Sequence, residues 1–146
     1  MRVIFAGGRT FNDEIVADKI LLHAFENEFM PEPDRLICVS GNAIGADILF
    51  ARLIKQYEGK VEEYPADWNN LKESKDNPVL VKSNSYGKKY NALAGFNRNK
   101  LMAKTANKLI VVYNGSSGTK DMISTMLDLN KPVRIYDYKG NVVEHF

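Results

Sequence analysis

Cysteine is almost absent. Cys38 stands alone among 146 residues, so no disulfide can close within the chain, as suits a reducing compartment. It lies inside Leu36-Ile37-Cys38-Val39, the setting of a small buried core residue rather than a reactive thiol. Histidine is scarce too: His23 and His145 are far apart and lack the company of a Cys/His cluster, so no metal or cofactor is expected. No apolar run approaches the length of about 20 residues that a membrane-crossing helix needs. Met1 leads straight into Arg2-Val3-Ile4-Phe5, too little for a leader, and the expectation is a cytoplasmic chain with no membrane partner. The formal net charge is only +2, too small to argue for nucleic acid or a membrane surface. Ser-His-Asp signatures, paired carboxylates and the Gly-Lys-Ser/Thr ending of a Walker loop are missing as well.

Glycine is present where it matters. Three glycine-centred turns, Ala6-Gly7-Gly8-Arg9, Ser40-Gly41-Asn42-Ala43-Ile44-Gly45-Ala46-Asp47 and Asn114-Gly115-Ser116-Ser117-Gly118-Thr119, each follow an apolar, β-branched run and precede a helical pattern. Glycine lets the backbone turn sharply and approach a ligand. A helix start offers unpaired N–H groups and partial positive charge. Several such turns on one sheet edge make an anion site, most often for phosphate.

The remaining pattern alternates strands and helices. Strands are predicted at 3–6, 35–40, 61–64, 108–113 and 133–136, and helices at 13–29, 46–57, 94–105 and 119–129. Asn12 or Asp13 is the candidate cap of the first helix, Pro31-Glu32-Pro33 closes that segment, and Lys139-Gly140-Asn141 predicts a short terminal hairpin. The alternation implies an α/β, Rossmann-like fold: a mostly parallel sheet of about five strands with helices on both faces, in one domain over residues 1–146. Residues 65–90 have no clear period and are rich in Asn, Ser and Lys; so long a stretch is read as a functional loop or lid.

Each candidate site residue carries a plain reading beside a functional one. Gly7 and Gly8 make either a tight connection or a phosphate turn, and Arg9 adds a guanidinium fork suited to phosphate or carboxylate. Ser40, Gly41, Asn42 and Gly45 shape the second turn. Asp47, in the first turn of the next helix, either caps that helix, bonds a ribose hydroxyl or holds the neighbouring loop. Gly115, Ser116, Ser117, Gly118 and Thr119 surround a helix start with small donors. Arg98 and Met102 share a helix face. An arginine so near a helix start opposes the dipole, which a bound anion would offset. Trp68 in Pro65-Ala66-Asp67-Trp68 either stacks on a base or anchors a loop. Lysines 72, 75, 82, 88, 89, 100 and 104 with Arg98 outnumber Glu73 and Asp76 between 72 and 104, a solvated surface or a steering field for an anion.

Taken in order, Gly-Gly-Arg, Ser-Gly-x-Ala-x-Gly-Ala-Asp, Pro-Ala-Asp-Trp, Gly-x-x-Arg-Asn-x-x-Met and Gly-x-x-Gly-Thr resemble the YspA-type, YpsA-related branch of the SLOG superfamily, over residues 3–136. The resemblance implies a Rossmann-like fold that binds nucleotides or nucleotide-derived ligands. It extends distantly to the Lonely Guy phosphoribohydrolases, whose Pro-Gly-Gly-x-Gly-Thr-x-x-Glu motif falls on residues 114–122. Gly115, Gly118 and Thr119 match it, Asn114 and Ser116 depart from it, and Met122 stands at the glutamate. Arg98 and Met102 match that family's Arg-Lys-x-x-Met, with Asn99 in place of the lysine. Ile44 stands where the YspA-like branch often has a basic residue.

Three functions follow from the resemblance. The first is a binding module for a nucleotide-derived small molecule, such as an ADP-ribose-like or cyclic-nucleotide signal, acting as a sensor or sequestering protein. Its phosphates would lie at Gly7-Gly8-Arg9 and residues 115–119, with Arg98 and Asn99 on the anion and Trp68 near the base. The second is a nucleotide N-glycosidase using Arg98 with Asp47 or Asp67; the absent glutamate counts against it, because an oxocarbenium-like state wants a carboxylate nearby. Asp121 is one position off and projects about 100° away on an ideal helix. The third is a single-strand nucleic-acid binder, by analogy with the SLOG domain of DprA, against which the modest charge counts. A homo-oligomer is also expected from the resemblance.

Overall fold

A computed structural model describes residues 1–27 and 29–143. The chain runs β1 (Arg2–Gly7), α1 (Glu14–Glu26), β2 (Ile37–Ser40), α2 (Ala46–Gln56), β3 (Lys60–Glu63), β4 (Val81–Ser83), β5 (Lys89–Asn91), α3 (Ala94–Thr105), β6 (Lys108–Val112), α4 (Ser117–Asp128), β7 (Val133–Tyr136) and β8 (Val142–Val143). His145 lies outside the described residues.

The main sheet has the order β3-β2-β1-β6-β7-β8. β1 pairs parallel with both β2 and β6, and β2–β3 and β6–β7 are parallel too. Only β7–β8 is antiparallel, across the terminal turn, where Asp137 Oδ1 accepts the N–H groups of Lys139 and Asn141, both at 2.9 Å. This is a Rossmann-like α/β fold, its sheet six-stranded rather than five because the terminal hairpin adds β8.

Alternation of side chains along β1 divides the core. Val3 and Phe5 join Phe11, Ile20, Leu21, Phe50 and Leu53 beneath α1 and α2. Ile4 and Ala6 join Met102, Ala103, Met122, Ile123 and Met126 beneath α3 and α4. All of these are buried, as is Cys38, whose thiol is pushed up to about 12, chiefly by burial. Such a thiol is inert as a nucleophile.

Several elements differ from the sequence pattern. α1 ends at Glu26, not residue 29. Asn27 N–H donates to the His23 carbonyl, and Phe29 N–H reaches back to the Ala24 carbonyl, so the chain closes the helix before the prolines. Residues 65–90 are not a plain loop, because β4 and β5 form an antiparallel hairpin there. It escapes the pattern because each strand is only three residues long, with β4 exposed throughout and β5 passing from exposed to buried at a polar residue, so no apolar period marks it.

Hydrogen bonds from asparagines hold this segment together and against the start of α3. Asn91 is fully buried. Its Oδ1 accepts Leu80 N–H (3.1 Å) and Leu93 N–H (3.0 Å), and its Nδ2 donates to the Pro78 carbonyl (3.1 Å). Asn97, on α3, donates to the same carbonyl at 3.0 Å. The Asn91 backbone N–H donates to the Trp68 carbonyl (2.7 Å), which fixes the tryptophan beside α3. Replacing Asn91 with alanine leaves two backbone N–H groups without their acceptor, at about 1–3 kcal/mol for a buried donor. Asn91→Ala is expected to lower the unfolding free energy in urea by about 2 kcal/mol; a change within about 0.5 kcal/mol would assign the hold elsewhere.

Candidate functional site

The direction of the crossovers sets the place. After β1 the chain passes to α1 on one face, and after β6 to α4 on the other. β1 and β6 are adjacent, so the connections diverge between them and open a crevice beyond their carboxyl ends, the usual ligand position in such sheets. A cavity of about 360 Å³ occupies this point, within the size range of small-molecule sites.

Its lining brings together Gly7 and Arg9 of the first turn, Asp47, Trp68, Arg98, Asn99, and Ser116, Ser117, Gly118 and Thr119 of the third turn. Ala6, Met102 and Met122 give it an apolar base, and Ala43, Ala92, Gly95 and Phe96 complete it. α4 begins at Ser117, two residues earlier than the sequence pattern suggests, so the third turn supplies the helix N-terminus itself. Ser116 Oγ donates to Thr119 Oγ1 at 2.7 Å. A Cβ added at Gly118 would meet nothing within 4 Å.

Other candidates build the walls without lining the cavity. Gly45 caps α2 at φ +98°, a left-handed conformation that favours glycine. A Cβ there would lie 2.5 Å from the Gly8 carbonyl oxygen, and Ala46 N–H donates to that same oxygen at 3.2 Å, which locks the first turn to the second. Gly8 itself leaves room for the Tyr138 hydroxyl. Ser40 is buried, and its Oγ accepts Asn42 N–H at 3.1 Å. Asn42 lies along a separate groove with Ile48 and Arg52. Gly115, at φ +106°, makes the bend after β6. Asp67 faces a second cavity rather than this one.

Gly41 is a spacer between two charges. A Cβ there would lie 2.7 Å from Arg98 Nη1 and 2.8 Å from Asp47 Oδ2. Only a residue without a side chain lets Arg98 reach the Gly41 carbonyl, to which Nη1 donates. Arg98 Nε donates to Asn99 Oδ1 (3.2 Å), and Asn99 Nδ2 donates to Asp121 Oδ2 (3.1 Å) and to the Gly118 carbonyl (3.3 Å). The line Gly41–Arg98–Asn99–Asp121 therefore ties β2, α3 and α4 across the crevice. It also answers the dipole cost expected of an arginine near the start of α3: a carbonyl, an amide and the nearby Asp47 offset it within the protein.

Asp47 does not cap α2, since Gly45 holds that position. It is buried, and its carboxylate accepts Ala43 N–H at 3.5 Å. Burial pushes its pKa up to about 6, while the Arg98 charge and the backbone N–H groups of Ala43, Gly7 and Gly41 pull the other way. The Arg98 pKa is lowered first by burial and further by the charge of Arg9, while Asp47 raises it. Two guanidinium groups thus converge on one cavity and repel each other there.

The residues that sequence reasoning missed are small or apolar: Ala43, Ala92, Gly95, Phe96 and, behind the first turn, Tyr138. Gly95 carried a signal, since with Asn99 and Met102 it recurs at the three-to-four spacing of one helix face. Among the described residues no group of three or more histidine, cysteine or acidic side chains is placed to hold a metal ion, and no helix is long and apolar enough to cross a membrane.

Comparison of the sequence with family models gives no match, and comparison with curated proteins gives none either. A solved structure does match: DNA processing protein A (DprA) from Streptococcus pneumoniae, with a TM-score of 0.60 at 16% identity over 93% of this chain and 49% of that one. The chain spans about half the length of that protein, and at this identity the likeness is one of fold.

The Asp47 carboxyl makes stability depend on pH. A pKa raised from 3.8 to about 6 in the folded state means that the folded chain holds a proton the unfolded chain has released. The contribution is fully present below pH 3.8 and lost as pH rises through about 6. The unfolding free energy of the wild type minus that of Asp47→Asn is expected to fall between pH 4 and 6 and to level off above 7. Urea titrations at each pH measure it; a difference that rises with pH would overturn the assignment.

Proposed function

We propose that this chain binds a nucleotide-derived anion in the crevice between β1 and β6, as a sensor or sequestering protein of the YspA-like kind. The convergence of Arg9 and Arg98 on a cavity rimmed by the first turn of α4 carries this reading. Like charges brought together cost free energy that an anion offsets, and unpaired N–H groups at a helix start favour the same charge. On this reading the phosphates lie against residues 116–119 and the first turn. Arg98, already oriented by Gly41 and Asn99, binds the anion, and Trp68 at the rim covers the base. On this reading the protein works in the cytoplasm, and the family resemblance supports an oligomer.

A second reading, N-glycosidic cleavage, draws on Asp47, the one carboxylate in the lining. Its raised pKa suits a proton donor. Against it, Met122 fills the position of the motif's glutamate, Asp121 is engaged by Asn99, and Asp67 faces elsewhere. The fold likeness to a DNA processing protein adds single-stranded nucleic acid as a third candidate, marked by a steep salt dependence.

Native mass spectrometry of the protein with AMP, NAD, ADP-ribose, cyclic ADP-ribose and a short single-stranded oligonucleotide separates the readings. An intact adduct without free base is expected. Release of a base would favour the glycosidase, and binding of an oligonucleotide alone would favour the third reading. Arg98→Ala is expected to weaken the adduct by tenfold to a hundredfold, from about 1.5–3 kcal/mol for a hydrogen bond to a charged group. Gly118→Val, which adds bulk where space is open, should weaken it as well without unfolding the chain. Unchanged affinity in both variants would overturn the site.

A further inference from the structure

One group in the crevice opposes an anion. Asp47 is the single carboxylate among the lining residues, on a wall otherwise made of two arginines, an amide, hydroxyls, backbone and apolar side chains. An anion seated there brings a second negative charge into about 360 Å³. Like charges that share a site raise the pKa of the group able to take a proton.

The geometry lets Asp47 take that proton without disturbing Arg98. Asp47 Oδ2 and Arg98 Nη1 lie 2.8 and 2.7 Å from one point, the place a Cβ on Gly41 would occupy. Yet the guanidinium spends its bonds elsewhere: Nη1 donates to the Gly41 carbonyl and Nε to Asn99 Oδ1. The ion pairs among the described residues are Arg2–Glu62 and Arg52–Glu14, and Arg98–Asp47 is not one of them. Neutral acceptors therefore orient Arg98, and it keeps its place when Asp47 is uncharged. The carboxylate itself is loosely held. Its bond from Ala43 N–H is 3.5 Å long, against roughly 2.7–2.9 Å for a strong bond to an ionised acceptor.

Few charges face Asp47 from the elements around it. Arg98 does so from α3, and Arg9 shares the lining from the first turn. Cys38 on β2 feels its charge but stays a neutral thiol. β1 and the second turn present backbone N–H groups of Gly7, Gly41 and Ala43. Asp121 on α4 is engaged by Asn99. At 5% exposure, burial outweighs these partners and leaves the carboxyl titrating at about 6, where a nearby anion moves the change into the neutral range.

We infer that the crevice takes up a proton together with its anion, at Asp47, so that affinity for the anion rises as pH falls. The inference rests on the anion-binding function proposed above and adds the regulation of that site. With the proton on, the full charge of Arg9 and Arg98 serves the ligand; with it off, the carboxylate offsets part of that charge and repels the anion. Linkage is reciprocal: whatever factor the anion adds to proton affinity, the proton adds to anion affinity. The affinity is high and level below the free carboxyl's pKa, falls as pH rises towards the bound value, and is low and level above it.

Sulfate and ADP-ribose are the probes, because each keeps one charge from pH 5 to 8, whereas the phosphate of AMP titrates at about 6. Trp68, the chain's one tryptophan, lines the cavity, and its fluorescence follows binding. Wild-type affinity is expected to fall about tenfold or more from pH 5 to pH 8, tenfold for each unit by which the anion raises the Asp47 pKa. Asp47→Asn keeps a neutral group of the same shape. It is expected to bind equally across that range, and tighter than the wild type at pH 8. Calorimetry of the wild type near pH 6.5, in two buffers of different ionisation enthalpy, should report proton uptake with ADP-ribose, a readout that needs no folded variant. Wild-type affinity that is flat or rises with pH, binding without proton uptake, or the same pH slope in Asp47→Asn overturns the proton linkage while the anion site stands. Failure of both probes to bind at every pH overturns the anion site, and the linkage with it.

Discussion

One guanidinium spans the crevice of this fold. Arg98 leaves α3, reaches over the carboxyl end of the sheet and donates to the Gly41 carbonyl beyond β2. Everything around it is arranged to permit that reach. Gly41 lacks the side chain that would block it. Asn99 turns its amide so that its oxygen faces Arg98 and its nitrogen faces α4. Asp47 supplies the opposite charge from beneath, in a buried position where an ionised carboxylate would be costly without partners. Removing any of these would leave a charge or a backbone group without its partner, so the second turn and the starts of α3 and α4 form one unit.

The same unit explains why three loops from distant parts of the chain stay in register. The Gly8 carbonyl accepts N–H groups from Phe11 and Ala46, joining the first turn to the start of α2. Asp47 then lies within reach of N–H groups from the first and second turns, and Asn99 carries the connection on to the Gly118 carbonyl of the third. These bonds are individually modest, about 0.5–1.5 kcal/mol each. Their value for function is geometric, since they hold the donors in place before any ligand arrives, which lowers the ordering cost of binding.

The sheet was legible in the sequence because its signals are large: β-branched runs, glycine turns after β1, β2 and β6, and helices with an apolar stripe. That glycines 7, 41 and 118 lie at one end of the sheet follows from strand direction alone. The hairpin at 81–91 left no such mark, because Asn91 and Asn97 stabilise it through side-chain hydrogen bonds to backbone groups. Hydrogen bonding of this kind has no period. For the same reason Asp47 was readable as a first-turn carboxylate able to cap its helix or hold the neighbouring loop, but its burial was not. Which cavity Asp67 and Trp68 would face also depends on that segment's path, which no local pattern encodes.

The departures from the hydrolase motif gain a physical meaning in this geometry. A lysine at position 99 would add a third cation beside Arg9 and Arg98, and a glutamate at 122 would place a carboxylate on the cavity base where a thioether now sits. The two changes go together. With an amide at 99, Arg98 gains an acceptor and Asp121 gains a donor, so the guanidinium is fixed by the protein rather than balanced by a second acid. With Met122 at the base, the cavity keeps two arginines and one buried carboxylate. That inventory would stabilise an anion more than the positive charge that develops when a glycosidic bond breaks, which is the ground for proposing retention over cleavage.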